Sequence, residues 1–154
     1  MAFLQDSQPD LCLLAKSGGC SVYQLRNESG EGTMTVYEVF PGATILYNDF
    51  HMAYCDSSFE TRQDLLCIDY CREGRMEYAV GNDAFSYVEA GDLKVDRRLK
   101  HKGYFSLPLS HYHGISMCFD LSMIPMELAR LAGDYPLDPV SYTHLRAHET
   151  DSYL

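Results

Sequence analysis

Basic residues are scarce in this 154-residue chain: 12 Lys and Arg stand against 22 Asp and Glu, a formal charge of −10. Neutralising a phosphate backbone needs a Lys/Arg face, so the chain as it stands is not expected to bind nucleic acid. Long apolar runs are missing too. No stretch approaches the ~18 residues that a membrane span requires, and no membrane partner is expected. The N-terminus, MAFLQDSQPDLCLLAK, carries acids where a signal peptide would be basic. A cytoplasmic location is therefore expected, with the six cysteines as reduced thiols rather than a disulfide frame. There is no C-x-x-C pair, which removes a zinc ribbon or a thioredoxin-like site. Neither a G-x-S-x-G elbow nor a Gly-rich phosphate loop occurs, and no Cys/His pair has a recognisable spacing. Nothing in the sequence activates a nucleophile, and the chain is not expected to be an enzyme.

What is present is a succession of short strands. TMTVYEVF (33–40) is β-branched and aromatic, Pro41-Gly42 supplies a turn, and ATILYNDF (43–50) continues as strand. In QDLLCIDYC (63–71) Leu66, Ile68 and Tyr70 share one face; Cys67, Asp69 and Cys71 share the other. RMEYAV and AFSYVE flank a GND turn, a strong hairpin signal. HGISMCFDL alternates cleanly, with Ile115, Met117, Phe119 and Leu121 opposed to Ser116, Cys118 and Asp120. One short helix is expected over IPMELARLAG, from Pro125 in its first turn to a left-handed cap at Gly133. Many antiparallel strands followed by a helix argue for a barrel or sandwich. A barrel of this size has a mouth wide enough for one small ligand.

Few residues stand out as carriers of chemistry. His111 and His113 form an H-x-H pair whose imidazoles share a strand face, the arrangement by which a strand offers two nitrogens to one metal ion. The further ligands on offer, His51, His101 and Asp120, lie on other segments, and two strand-entry histidines at a barrel rim are the plainer reading. No metal or other cofactor is expected. If Leu66, Ile68 and Tyr70 face inward, alternation makes Arg72 the next inward side chain, a fork for a carboxylate or phosphate. An ion pair of Arg72 with Glu73 or Glu77 is equally open. Tyr70, Arg72, Arg75 and His51 are the candidate ligand-binding residues. The basic stretch KVDRRLKHK (94–102) is expected to be a solvated strand end and loop.

Four segments in order carry a resemblance. Pro41-Gly42 is followed by Tyr47, Asp49 and Phe50; Tyr70-Cys71 by Gly74-Arg75 and Glu77; then come Gly91-Asp92-Leu93, and finally Tyr112, Gly114-Ile115 and Asp120. Together they resemble the N-terminal sensor domain of AraC-type transcriptional regulators over residues 30–139. Asp69 departs from the family pattern where Asn is usual, and Phe119 where an aliphatic residue is. The resemblance implies a mostly β, cupin-like antiparallel barrel of jelly-roll type with a short C-terminal helix, binding an unidentified small-molecule effector. It also implies a domain that usually lacks the cupin metal ligands. Linker helices, often dimer-forming, and two helix-turn-helix units that read DNA would follow; this chain carries none of them. The alternative is a small metal-dependent cupin enzyme, an isomerase or dioxygenase, using His111 and His113.

Residues 1–29 are then expected to form an N-terminal arm and first strand. The end of the chain reads differently. VSYTHLRAHET (140–150) resembles translated sequencing adapter of the transposase type, so residues 140–154 are expected to be a non-native tail. Its His144 and His148, spaced as neighbours on a helix face, then carry no chemistry.

Overall fold

The computed structural model describes residues 10–56, 65–79, 85–98, 104–124 and 145–146. They form eleven strands and, among the described residues, no helix. The helix expected over Ile124–Gly133 lies, beyond Ile124, outside the described residues. At its expected start the Asp120 carboxylate accepts from the amide of Ser122 at 2.9 Å and from its hydroxyl at 2.6 Å. The Ile124 amide closes an i to i+4 turn on the Asp120 carbonyl at 3.2 Å. Among the described residues no helix is long and apolar enough to cross a membrane.

The strands are β1 (Leu11–Ser17), β2 (Cys20–Asn27), β3 (Gly30–Phe40), β4 (Ala43–His51), β5 (Tyr54–Asp56), β6 (Leu65–Ala79), β7 (Phe85–Glu89), β8 (Asp92–Arg98), β9 (Tyr104–Ser106), β10 (Tyr112–Asp120) and β11 (Leu145–Arg146). Every pairing among them is antiparallel. The main path runs β1-β2-β3-β4-β10-β6-β8-β11. A second, smaller group pairs β5 with β9, β9 with β6, and β6 with β7. The fifteen-residue β6 belongs to both groups: residues 65–74 pair with β10 and β8, residues 75–79 with β7 and β9. The sheet therefore curls over, and one core cluster draws on both groups. It includes Tyr23, Val36, Phe50, Met52, Cys55, Cys71, Val88, Leu107 and Tyr112.

The local chemistry explains the corners. Gly42, at φ 88°, makes the turn between β3 and β4 that Pro41-Gly42 announces. The two strands expected on either side of GND pair as β6 and β7, Arg75 opposite Glu89 and Ala79 opposite Phe85. Before residue 30 the chain folds into two paired strands where one was expected, joined by a turn with Gly18 at φ 55°. At the far end Leu145 and Arg146 pair with Leu93 and Asp92 of β8. Two residues added to an open edge is what almost any extended segment can do.

Alternation along β6 is interrupted at C-R-E-G. Leu65, Cys67, Asp69 and Cys71 are buried, and so is Tyr78, whose number has the opposite parity. The phase shift has a visible cause: opposite β10 the register jumps from Cys71–Gly114 to Glu73–His113, leaving Arg72 as an extra residue. Gly74 follows at φ 84°, where a Cβ would come within 2.0 Å of the His111 carbonyl oxygen. This bulge lets one strand leave the first group of strands and enter the second.

Candidate functional site

The sheet formed by β3, β4, β10, β6 and β8 has an inner face turned to the core and an outer face. On the inner face the residues are unexpectedly polar. Thr44, Asn48, Asp69, Lys94, Ser116 and Asp120 are all buried. In register, Ser116 stands opposite Asp69, and Asp69 opposite Lys94. The Asn48 amide donates to the Ser116 hydroxyl at 3.4 Å, and the Lys94 ammonium donates to Asp96 at 2.8 Å. Lys94 also sits 4.2 Å from the centre of the Tyr78 ring. A polar belt, Asn48–Ser116–Asp69–Lys94–Asp96, thus crosses four strands. Apolar clusters flank it: Phe50, Tyr112 and Cys71 on one side, Leu65, Cys67 and Cys118 on the other.

Such a belt is costly to fold. A lysine only 3% exposed must be paired and hydrogen-bonded, or its ammonium loses several kcal/mol of hydration uncompensated. Asp96 and the face of Tyr78 meet that need. Chemically, the belt offers an ammonium, carboxylates, an amide and a hydroxyl inside an apolar surround. These groups bond to one another: Asn48 with Ser116, and Lys94 with Asp96.

The outer face carries Ile45 and Tyr47 of β4, Ile115, Met117 and Phe119 of β10, and Leu66, Ile68 and Tyr70 of β6, none of them fully buried. Thr35, Tyr37, Ile45 and Tyr47 line a shallow groove there, with the two tyrosine rings edge to face at 5.8 Å. The inward orientation expected for Leu66, Ile68 and Tyr70 is therefore reversed. Hydrophobicity chose the wrong face, because the interior of this sheet is where the polar residues pair. The solvated strand end expected at Lys94 needs the same correction, since Lys94 is buried in the belt; residues 99–102 of that basic stretch lie outside the described residues.

The remaining candidates scatter. Arg72 is exposed at the bulge, not inward, because the extra residue breaks the phase that placed it. Arg75 lies over the Tyr87 ring at 4.0 Å and donates to Glu77 at 2.8 Å and Glu89 at 3.5 Å, so its fork is occupied. His51 is exposed at the end of β4, beside Asp49 at 3.0 Å. His111 meets it there, with ring centroids 4.9 Å apart, and pairs with Glu73 at 3.2 Å. His113 stands opposite Asp49 in the β4–β10 register, on the outer face. The H-x-H pair thus points away from the belt.

Some residues of the AraC-type pattern hold turns or pack in the core. The buried Asp92 accepts from the Glu89 amide at 3.1 Å, and the Gly91 amide donates to the Cys71 carbonyl at 2.9 Å. Tyr112, 1% exposed, stacks on Phe50 at 6.2 Å. All six cysteines are free thiols. Burial pushes the Cys71 thiol up to about 12, and the neighbouring Asp92 and Glu89 charges push the same way, while a hydrogen bond to the Glu73 backbone opposes them. A thiol held neutral in this way is not a nucleophile. Cys67 and Cys118, directly opposite across β6 and β10, bring their sulfurs to 3.2 Å in the buried interior.

No family model and no curated protein matches the chain. Among solved structures it is similar to the Clostridium difficile EutQ protein, at 15% identity over 58% of this chain with a TM-score of 0.41. A Bacillus subtilis oxalate decarboxylase mutant, OxdC, gives 13% identity over 74% of this chain at 0.43. The coconut allergen cocosin gives 12% over 91% at 0.39. The chain spans 64% of the EutQ structure, 34% of the decarboxylase and 37% of cocosin.

Proposed function

We propose that this chain is the effector-sensing domain of an AraC-type transcriptional regulator. In this reading it is a cupin-like barrel of jelly-roll type that binds a small polar molecule without transforming it. The observation that carries the reading is the buried polar belt. Asn48, Asp69, Lys94 and Ser116 occupy interior positions that apolar residues would fill at lower cost. A domain retained for stability alone has no use for that arrangement; a domain that must recognise a polar ligand does. The four ordered motifs add the family, and with it the expectation that DNA contact and dimerisation belong to segments outside this chain. Cytoplasmic location follows from the same reading, and residues 140–154 are read as translated adapter.

The test is a thermal-shift screen of the full chain against small carboxylates, sugars and nucleosides. A compound that raises the midpoint should lose its effect in Asn48→Ala and Ser116→Ala, and keep it in Tyr47→Ser on the outer face. Ligand stabilisation untouched by both inner variants would sink the assignment of the belt. The native reading frame at the source locus should continue for roughly 100 residues into paired helix-turn-helix units. A genomic copy encoding SYTHLRAHET before a stop codon would overturn both the adapter and the truncation.

A metal-dependent isomerase or dioxygenase is the second reading, favoured by one observation, the meeting of His51 and His111. It ranks lower because His111 and His113 lie on the outer side of the sheet, away from the belt.

A further inference from the structure

We infer that Asp49, His51 and His111 form a surface binding site for a divalent first-row metal ion of the zinc class, distinct from the interior belt. The site is built by two neighbouring strands. β4 and β10 pair with Tyr112 opposite Phe50 and His113 opposite Asp49, so continuing the register by one residue sets His111 beside His51. Because alternate residues share a face, Asp49, His51 and His111 all project from the outer side at the same end of the sheet. One ligating atom from each lies within 4.8 Å of the others. No other group of three His, Cys, Asp or Glu side chains among the described residues meets that condition.

The donor set argues for the metal class. Two imidazole nitrogens and one carboxylate oxygen suit zinc and its first-row neighbours, whereas calcium and magnesium prefer oxygen alone. A tetrahedral ion with bonds near ~2.0–2.1 Å separates its ligand atoms by roughly 3.4 Å. His51 Nε2 and Asp49 Oδ1 already stand 3.0 Å apart. The exposed His51 and the half-exposed Asp49 can close the rest by side-chain rotation.

Two further features support the site. Glu73 pairs with His111 Nε2 at 3.2 Å, the carboxylate-to-histidine contact that fixes ring orientation at metal centres. The backbone leading into His111 is held as well: Ser110 takes a left-handed φ of 51°, its amide bonded to the Leu107 carbonyl at 2.8 Å. With three protein ligands on an open surface, the remaining coordination is left to water or to a donor from a partner. His113 faces Asp49 across the strands but falls outside the group.

The experiment is calorimetric titration of Zn²⁺ into the chelator-treated full chain, with Co²⁺ absorption as a second readout. Saturable binding of one ion per chain is expected. His51→Asn and His111→Asn should each weaken it by at least about tenfold, and Glu73→Gln by about tenfold. His113→Asn and the double variant His144→Asn/His148→Asn should leave it unchanged. The Co²⁺ spectrum should show ligand-field bands without the charge transfer that cysteine ligation produces. Absence of saturable binding, or binding that survives both His51→Asn and His111→Asn, overturns the site. So does a thiolate spectrum, or loss of binding on removing His113 or the tail histidines. Thermal melts confirm that each variant is folded, and Asp49→Asn stands in for any histidine variant that is not.

Discussion

Along one belt, the two faces of the β4–β10–β6–β8 sheet invert the usual rule. The face turned to the core carries Asn48, Asp69, Lys94 and Ser116, all buried; the face turned outward carries Tyr47, Ile115, Met117 and Tyr70, none fully buried. Period-two alternation identifies two faces but does not say which is inside. Here the inside is decided by what lies beyond the strand, chiefly the curl of β6 that brings the Tyr78 ring over Lys94. Polar residues in an interior cost stability unless they are paired, and here they are paired across neighbouring strands.

Substitutions can break this contrast in graded steps. Lys94→Ala should have the largest effect, destabilising by about 3–5 kcal/mol in urea titration, because it strands buried carboxylates without their cation. A cost below about 1 kcal/mol would mean that the belt is hydrated rather than paired. Next comes a contrast between the core and the outer face of the sheet. Leu107→Ala, at a fully buried position, should cost about 2–5 kcal/mol, and Tyr47→Ser on the outer face no more than about 1 kcal/mol. Equal costs would mean that the outer face is packed as tightly as the core.

Gly74→Ala probes the hinge between the two strand groups. At φ 84° with a backbone oxygen in the way, it should cost at least about 1–3 kcal/mol. It should also disturb His111, whose carbonyl the new methyl meets, so amide NMR shifts should change on β10 as well as β6.

A smaller effect is read by pH. Cys71 is raised from its ordinary 9.0 to about 12, chiefly by burial. Between those values the folded chain keeps a proton that the unfolded chain has lost. Its contribution is thus complete below pH 9 and falls away as pH rises toward 12. Denaturation at several alkaline pH values should show a shallower decline in Cys71→Ala than in the parent; identical slopes would remove Cys71 from the account. Smallest of all, deletion of residues 140–154 should shift stability by less than ~0.5 kcal/mol. A larger loss would make the β8–β11 pairing a genuine part of the fold.

Much of the framework was legible in the sequence. The Pro41-Gly42 turn follows from a residue that accepts φ > 0, and the pairing of β6 with β7 and the alternation of β10 from short strand patterns, which are local properties. What escaped was non-local. His51 and His111 are sixty residues apart in the chain, and only the β4–β10 register reveals that they touch. Arg72 was placed inward by counting, and counting fails where one extra residue shifts the phase. Lys94 looked like the start of a basic loop because the residues after it are charged, while its own partners, Asp96 and Tyr78, lie on the inner side of two strands. Asp49 entered only as part of the family pattern and Glu73 only as a partner for Arg72; their place beside the histidines was not visible in the sequence.

One consequence of β6 concerns how the molecule comes apart. Because a single fifteen-residue strand is a member of both strand groups, neither group can detach without tearing hydrogen bonds from the other. Opening should therefore be all-or-none across β4, β10, β6 and β7, with their amides exchanging with solvent at one common, global free energy. Only the periphery, β1 at one edge and β11 at the other, should release its protons by local fraying.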